Sequence, residues 1–213
     1  MKTPAFTFTG VMACLMLLSQ PVNAQTVAKA TFNLQAELKE PTCNPALTSS
    51  GDANGGGNVD FGLISLADGG SVEKTKHVVL TLTCDSASPP SVAGIGFNVV
   101  KGWASVDKPG FLVPEVMVGD APAYPLKFGY DWAWGKNINE AVADNPGEGY
   151  AGLNAGQKVD LHQQTTGSQY LLVQKEGKAT WDFPVDITRN ASDIEILSAG
   201  DYIAAVQVNI SYE

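Results

Sequence analysis

Basic charge is scarce in this chain: 13 Lys and Arg stand against 22 Asp and Glu, a formal net charge of −9. A protein that grips nucleic acid needs a basic surface to release counterions from phosphates, and one that adheres to anionic lipid needs much the same. Nucleic acid is therefore excluded as a partner. Histidine is limited to His77 and His162, and cysteine to Cys14, Cys43 and Cys84. So small a supply does not readily complete a zinc site, and no metal or other cofactor is expected. No Gly-x-Ser-x-Gly elbow is present, and His77 starts a strand beside Lys74 and Lys76, where a solvated side chain is the ordinary outcome. Asp182 and Asp186 can share one face of a strand, but surface acids fall together by chance in so acidic a chain. No catalytic residue is assigned, and the chain is not read as an enzyme. Gly94-Ile-Gly96 is not a nucleotide loop, because Val99 holds the third glycine position. After residue 24 no apolar run approaches the roughly 20 residues of a spanning helix. Nor is there a sustained 3.6-residue period with caps, so helices are not expected.

What is present points to export and to strands. Residues 1–24 read as a signal peptide: Lys2 gives a positive start, Val11–Leu18 an apolar run, and Val22-Asn23-Ala24 small residues before a cut ahead of Gln25. Cys14 lies inside that run and would be removed with it. Cys43 and Cys84 then remain as an even pair in an oxidising compartment, and a disulfide between them is the default reading. Closing a loop of that size contributes roughly 4 kcal/mol in the chain-entropy model. Abundant turn formers, with 22 Gly and 12 Pro against only 16% charged residues, favour many short strands over helices.

The strongest period-2 signal closes the chain. Tyr202, Ala204, Val206, Val208, Ile210 and Tyr212 alternate with polar or smaller residues, behind a Gly200 suited to a turn. Near the start of the exported part, Ala28, Ala30, Phe32, Leu34, Ala36 and Leu38 alternate in the same way until Pro41. Between these ends, strands are expected at Phe61–Ser65, His77–Cys84, Val92–Val100, Leu112–Val118, Leu126–Trp134, Lys158–His162, Gln169–Gln174 and Thr180–Ile187. Cys43 would close the first strand and Cys84 another, pinning neighbours together. Gly51–Asp60 reads as a hairpin loop, since Leu63 stands where a calcium loop needs its bidentate glutamate. Asn137–Gly156, without period, reads as a surface excursion. Leu126, Phe128, Tyr130, Trp132 and Trp134 share a face that serves either as core or as a sugar-stacking platform, with core the expected use. Together these segments predict an all-β chain of about eight or nine antiparallel strands in two sheets, an immunoglobulin-like sandwich.

Several residues carry a family likeness. Tyr212 is penultimate, and Gly200 is fourteenth from the end. Lys29–Cys43 has the form of an N-terminal extension running into a first strand and first cysteine, while Val59-Asp-Phe-Gly62 and Leu80-Thr-Leu-Thr-Cys84 follow as the next strand and second cysteine. In these features the chain resembles the pilin subunits of bacterial chaperone–usher fimbriae of the type 1 and P group. The likeness covers both ends of the exported chain; from about Lys101 to Lys178 it is one of strand pattern alone. The extension is short and lacks the glycine that many members place in it.

The resemblance implies an incomplete immunoglobulin-like sandwich that lacks its final strand and is completed by a donor strand from another subunit. It implies residues 25–33 as a donor-strand extension and 34–213 as the pilin domain. Ala28, Ala30, Phe32 and Leu34 would be donor side chains, with Leu34 at the hinge into the first strand. Gly200, Tyr202, Ala204, Val206, Val208, Ile210 and Tyr212 would line the acceptor groove and meet the chaperone. The implied partners are neighbouring subunits, a periplasmic chaperone and an outer-membrane usher, and the implied location is an extracellular fimbrium reached through the periplasm of a Gram-negative bacterium. Two alternatives stand beside this structural role. A minor adhesive subunit would touch a host glycan through the Trp132/Trp134 face or the Asn137–Gly156 loop. A free-standing periplasmic domain would require the terminal strand to be covered by the chain's own N-terminal segment.

Overall fold

The computed structural model describes residues 27–38, 43–49, 57–65, 74–85, 89–125, 127–162, 167–177, 179–190 and 199–213. The signal peptide expected over residues 1–24 lies outside them, as do Leu126 and most of the Gly51–Asp60 loop. Within the described residues the chain is all-β. Its strands are β1 (Val27–Leu38), β2 (Cys43–Ser49), β3 (Asn58–Ser65), β4 (Lys74–Cys84), β5 (Val92–Lys101), β6 (Trp103–Ala104), β7 (Phe111–Val113), β8 (Val116–Val118), β9 (Ala121–Ala123), β10 (Tyr130–Trp134), β11 (Ser168–Leu171), β12 (Thr180–Arg189) and β13 (Gly200–Tyr212). A single-turn 3-10 helix, Ile138–Glu140, follows β10.

One sheet has the order β11-β5-β13-β1-β3, a second the order β2-β4-β12-β10-β7-β6, and β8 pairs only with β9. The arrangement is consistent with a β-sandwich. Alternation explains which faces meet. Every second residue of β13 from Tyr202 to Tyr212 is buried, and in β12 Trp181, Phe183, Val185 and Ile187 are buried between more exposed neighbours. Aromatic rings bridge the two sheets: Phe32 of β1 meets Tyr130 of β10 edge-on at 4.3 Å, and Phe97 of β5 meets Trp134 at 5.8 Å. A void of only about 10 Å³ lies between Leu34, Phe97, Val208 and the facing residues of the second sheet, so the centre is filled by side chains.

The structure corrects several expected boundaries. Leu112–Val118 is not one strand, because Pro114 and Glu115 separate β7 from β8. Lys158–His162 forms no strand; Lys158 makes one isolated bridge to Ala133, after which the chain turns. The aromatic strand starts at Tyr130, since Phe128 N–H is already engaged in a turn with Pro125 O. Asn137–Gly156 is not a mere surface excursion, because Ile138, Ala141, Val142 and Leu153 are buried and close one end of the core. Cys43 does not close the first strand. It opens β2 in the second sheet, directly opposite Cys84 of β4, and the two are disulfide-bonded.

The largest difference concerns β1. An open edge was expected on β13, yet β13 has a neighbour on both sides: β5 antiparallel, and the chain's own β1 parallel. β1 also does not hinge at Leu34, since its pairing continues to Leu38 opposite Ile210. The physical reason is the matched alternation of the two segments, which lets an unbroken run of residues lie against β13 in one register.

Candidate functional site

The candidate site is the channel between β13 and β3, built from the residue that opens it. Gly200 begins β13 at φ 156°, a conformation that side chains of L-residues seldom adopt, and a Cβ there would sit 3.7 Å from Val116. From it the strand runs 13 residues, with Tyr202, Ala204, Val206, Val208 and Ile210 each at most 2% exposed and Tyr212 at 8%. β5 covers one flank from Ala205 to Tyr212, with a register shift between Ala205 and Val206. Beyond the reach of β5, Glu115 takes over: its N–H donates to Ile203 O and Ile203 N–H donates back, both at 2.8 Å. The Glu115 carboxylate is itself held by Lys101 at 3.4 Å and by the Tyr124 hydroxyl at 3.4 Å. Partial burial, then the charge of Glu115, raises the Tyr124 phenol above its ordinary range.

The other flank is the channel, and β1 occupies it. Its register sets Ala28 opposite Gly200, Ala30 opposite Tyr202, Phe32 opposite Ala204 and Leu34 opposite Val206. On its far side β1 pairs antiparallel with β3, with a shift between Ala30 and Thr31. Phe32 is 1% exposed and packs edge-on against Phe61, Tyr130 and Trp132 at 5.7, 4.3 and 6.1 Å. Leu34 is also buried, and its N–H donates to Gly57 O at 3.1 Å. Burial of a side chain of this size is worth roughly 1.5–3 kcal/mol.

The closing end of the channel is tied to the disulfide. The Cys43 N–H donates to the Tyr212 hydroxyl at 3.3 Å, so the last residue of β13 holds the start of β2. Sequence reasoning placed Tyr212 at the groove but missed this bond, and it missed Phe61 and Glu115 as parts of the walls. The alternation of Val59 and Phe61 is the signal from which Phe61 follows; a bridge made by Glu115 backbone has none.

Family models do not match this chain, and no curated protein does. The remaining expected residues can be located from the structure alone. Trp132 is 0% and Trp134 3% exposed, so that face is core and offers no platform for a sugar. His77 is exposed and pairs with Asp186 at 2.6 Å, while Asp182 accepts from Thr81 at 2.7 Å, which places both acids on the outer face of β12 in separate cross-strand pairs. His162 Nε2 lies 3.3 Å from Ser105 O, in a different part of the chain. Among the described residues no group of three or more His, Cys, Asp or Glu is placed to hold a metal ion, and no helix is long and apolar enough to cross a membrane.

Proposed function

We propose that this chain is a structural subunit of a chaperone–usher fimbria, built on an incomplete immunoglobulin-like sandwich, that polymerises by exchanging strands between copies. The observation that carries the reading is the occupancy of the channel: a strand bearing Phe32 and Leu34 lies between β13 and β3 and completes the core there. The same channel in one copy can take the same segment from another copy, because groove and plug are different surfaces of one sequence. Such a contact is heterologous and repeats without closing, which produces a fibre. Orientation supports the exchange. β1 runs parallel to β13 in a sheet that is otherwise antiparallel, and parallel pairing is slightly less stable per residue. A strand supplied by a neighbour is free to enter antiparallel. The periplasmic chaperone would hold the groove before assembly by adding a strand of its own, and the usher would deliver the subunit to the surface.

The same pairing favours a second reading. Because β1 belongs to the chain whose groove it fills, a free-standing exported domain closed by its own N-terminal segment accounts for the fold as well. Incubating the purified protein with a synthetic peptide of residues 25–38 separates the two. Uptake of the peptide, with slow growth of oligomers in its absence, is expected for a subunit, and removal of Gln25–Thr31 should block polymerisation while leaving peptide uptake intact. A monomer that never takes up the peptide would sink the subunit reading.

A further inference from the structure

Seven large apolar side chains are exposed among the described residues, and five of them, Val100, Trp103, Met117, Val118 and Tyr124, belong to two neighbouring segments. The first segment is the end of β5 and the turn into β6. Val100 falls in the register shift between Val99, opposite Val206, and Lys101, opposite Ala205, so no residue of β13 faces it and its side chain stands in solvent. Gly102 then turns at φ 95°, and a Cβ there would meet Val113 O at 2.6 Å, so glycine lets the chain return along β7 as β6. The second segment is the β8–β9 hairpin. Val116, 1% exposed, roots it beside Gly200, and the Glu115–Ile203 bridge ties its base to β13. One carboxylate joins the two segments, because Glu115 is held by Lys101 of the first and by Tyr124 of the second. Apolar residues scattered singly over a surface need no explanation, but five gathered at one end of the channel do.

We propose that this patch docks the body of a second copy of the chain, the copy whose N-terminal strand fills the channel; the inference rests on the strand-exchange reading. Strand direction and tether length carry it. β1 has eleven register partners on β13 and seven on β3, so a strand from another copy gains most antiparallel pairing by running opposite to β13. Its later residues then lie toward Gly200. In the incoming copy Cys43, pinned to Cys84 in the second sheet, follows Leu38 by five residues. Five residues reach at most about 18 Å, so the body of that copy has to sit against the Gly200 end, where the hairpin stands. A strand entering parallel would send the body to the Tyr212 end instead, away from the patch. Charge fits the same occupant: of residues 116–124 only Asp120 is charged, so two chains of net charge −9 can meet there with little like charge opposed.

The chain carries its own reporter for the contact. Trp103, 42% exposed, is the one tryptophan of four that solvent reaches, the others being 3% exposed or less. Quenching of tryptophan emission by acrylamide is expected to fall as oligomers grow, and to stay unchanged when the channel takes up the peptide of residues 25–38, which brings no body with it. Met117→Gln with Val118→Thr in one variant, and Val100→Thr in another, remove apolar surface without adding charge. Each should slow oligomer growth about tenfold while the melting temperature and peptide uptake stay as in the unmodified chain. Val106→Thr, in the loop between β6 and β7, should grow normally. Growth that the Val100 and hairpin variants leave unchanged, with the peptide still taken up, would overturn this surface and leave strand exchange standing. Slowing of equal size in Val106→Thr, or quenching that persists in the oligomer, would overturn it too. A chain that neither takes up the peptide nor grows would remove strand exchange, and this surface with it.

Discussion

Tyr130 shows how closely packing and polarity compete at the centre of this molecule. Its ring is fully buried and meets Phe32, Phe61 and Phe128, but among the described residues its hydroxyl has no hydrogen-bond partner, and the Trp132 indole N–H beside it has none either. Burial raises the phenol far above its ordinary range and lowers the guanidinium of neighbouring Arg189, while the contact with Tyr130 acts on Arg189 in the opposite sense. An unsatisfied buried hydroxyl costs about 1–3 kcal/mol. Tyr130→Phe is therefore expected to hold stability constant or to raise it by up to that amount, read from urea denaturation, and a loss of more than about 1 kcal/mol would show that the hydroxyl is satisfied in solution. Phe32 presents the opposite case. Truncating a buried phenylalanine usually costs about 3–5 kcal/mol, but Phe32→Ala can lose no more than the docking energy of β1, since the strand leaves the channel once that energy is spent. The expected signature is a small change in the main unfolding transition together with faster peptide uptake, measured by fluorescence of a labelled peptide.

The elements differ in how firmly they are tied. β4 and β12 pair over ten residues in the second sheet and β2 is joined to β4 by the disulfide; β1 pairs over eleven residues with β13 and seven with β3, but its pairing with β13 is parallel, which is slightly less stable per residue, and no disulfide ties it to either neighbour. Amide hydrogen exchange is expected to show β1 opening as its own unit, well before β4 and β12. Equal protection in all three would mean that β1 never leaves without global unfolding. Replacing Cys43 and Cys84 by serine should cost about 2–5 kcal/mol and, through the Tyr212 bond to Cys43, loosen the end of β13 as well. Both long alternations at the chain ends were legible in the sequence, because a strand with one buried face writes its period directly into residue choice. The disulfide was legible from the cysteine count together with the expectation of export. Which strand lies beside β13, and in which direction, was not: alternation at Ala28–Leu38 fits a parallel or an antiparallel neighbour, from this copy or another.

At the scale of the whole molecule, charge sets the terms on which copies meet. Each chain carries a formal charge of −9, and the strand exchange proposed above would have to bring two such surfaces into contact before the groove could supply its apolar reward. Like-charged partners associate slowly at low ionic strength. Added salt shortens the Debye length from about 30 Å at 0.01 M to about 8 Å at 0.15 M, which screens long-range repulsion while leaving burial of Phe32 and Leu34 intact. Oligomer growth is therefore expected to speed up several-fold between these salt concentrations and then to level off, because the remaining barrier is release of β1 from its own channel. Light scattering at matched protein concentration measures the rate. Peptide uptake provides the control: a short segment such as residues 25–38, whose only charged side chains are Lys29 and Glu37 and so cancel, is repelled little by the groove, so its rate should depend on salt much less than chain-to-chain growth does. Growth that slows with added salt would place an attractive ion pair at the subunit contact and remove repulsion as the barrier, while a chain that stays monomeric at every salt concentration would speak for the free-standing domain.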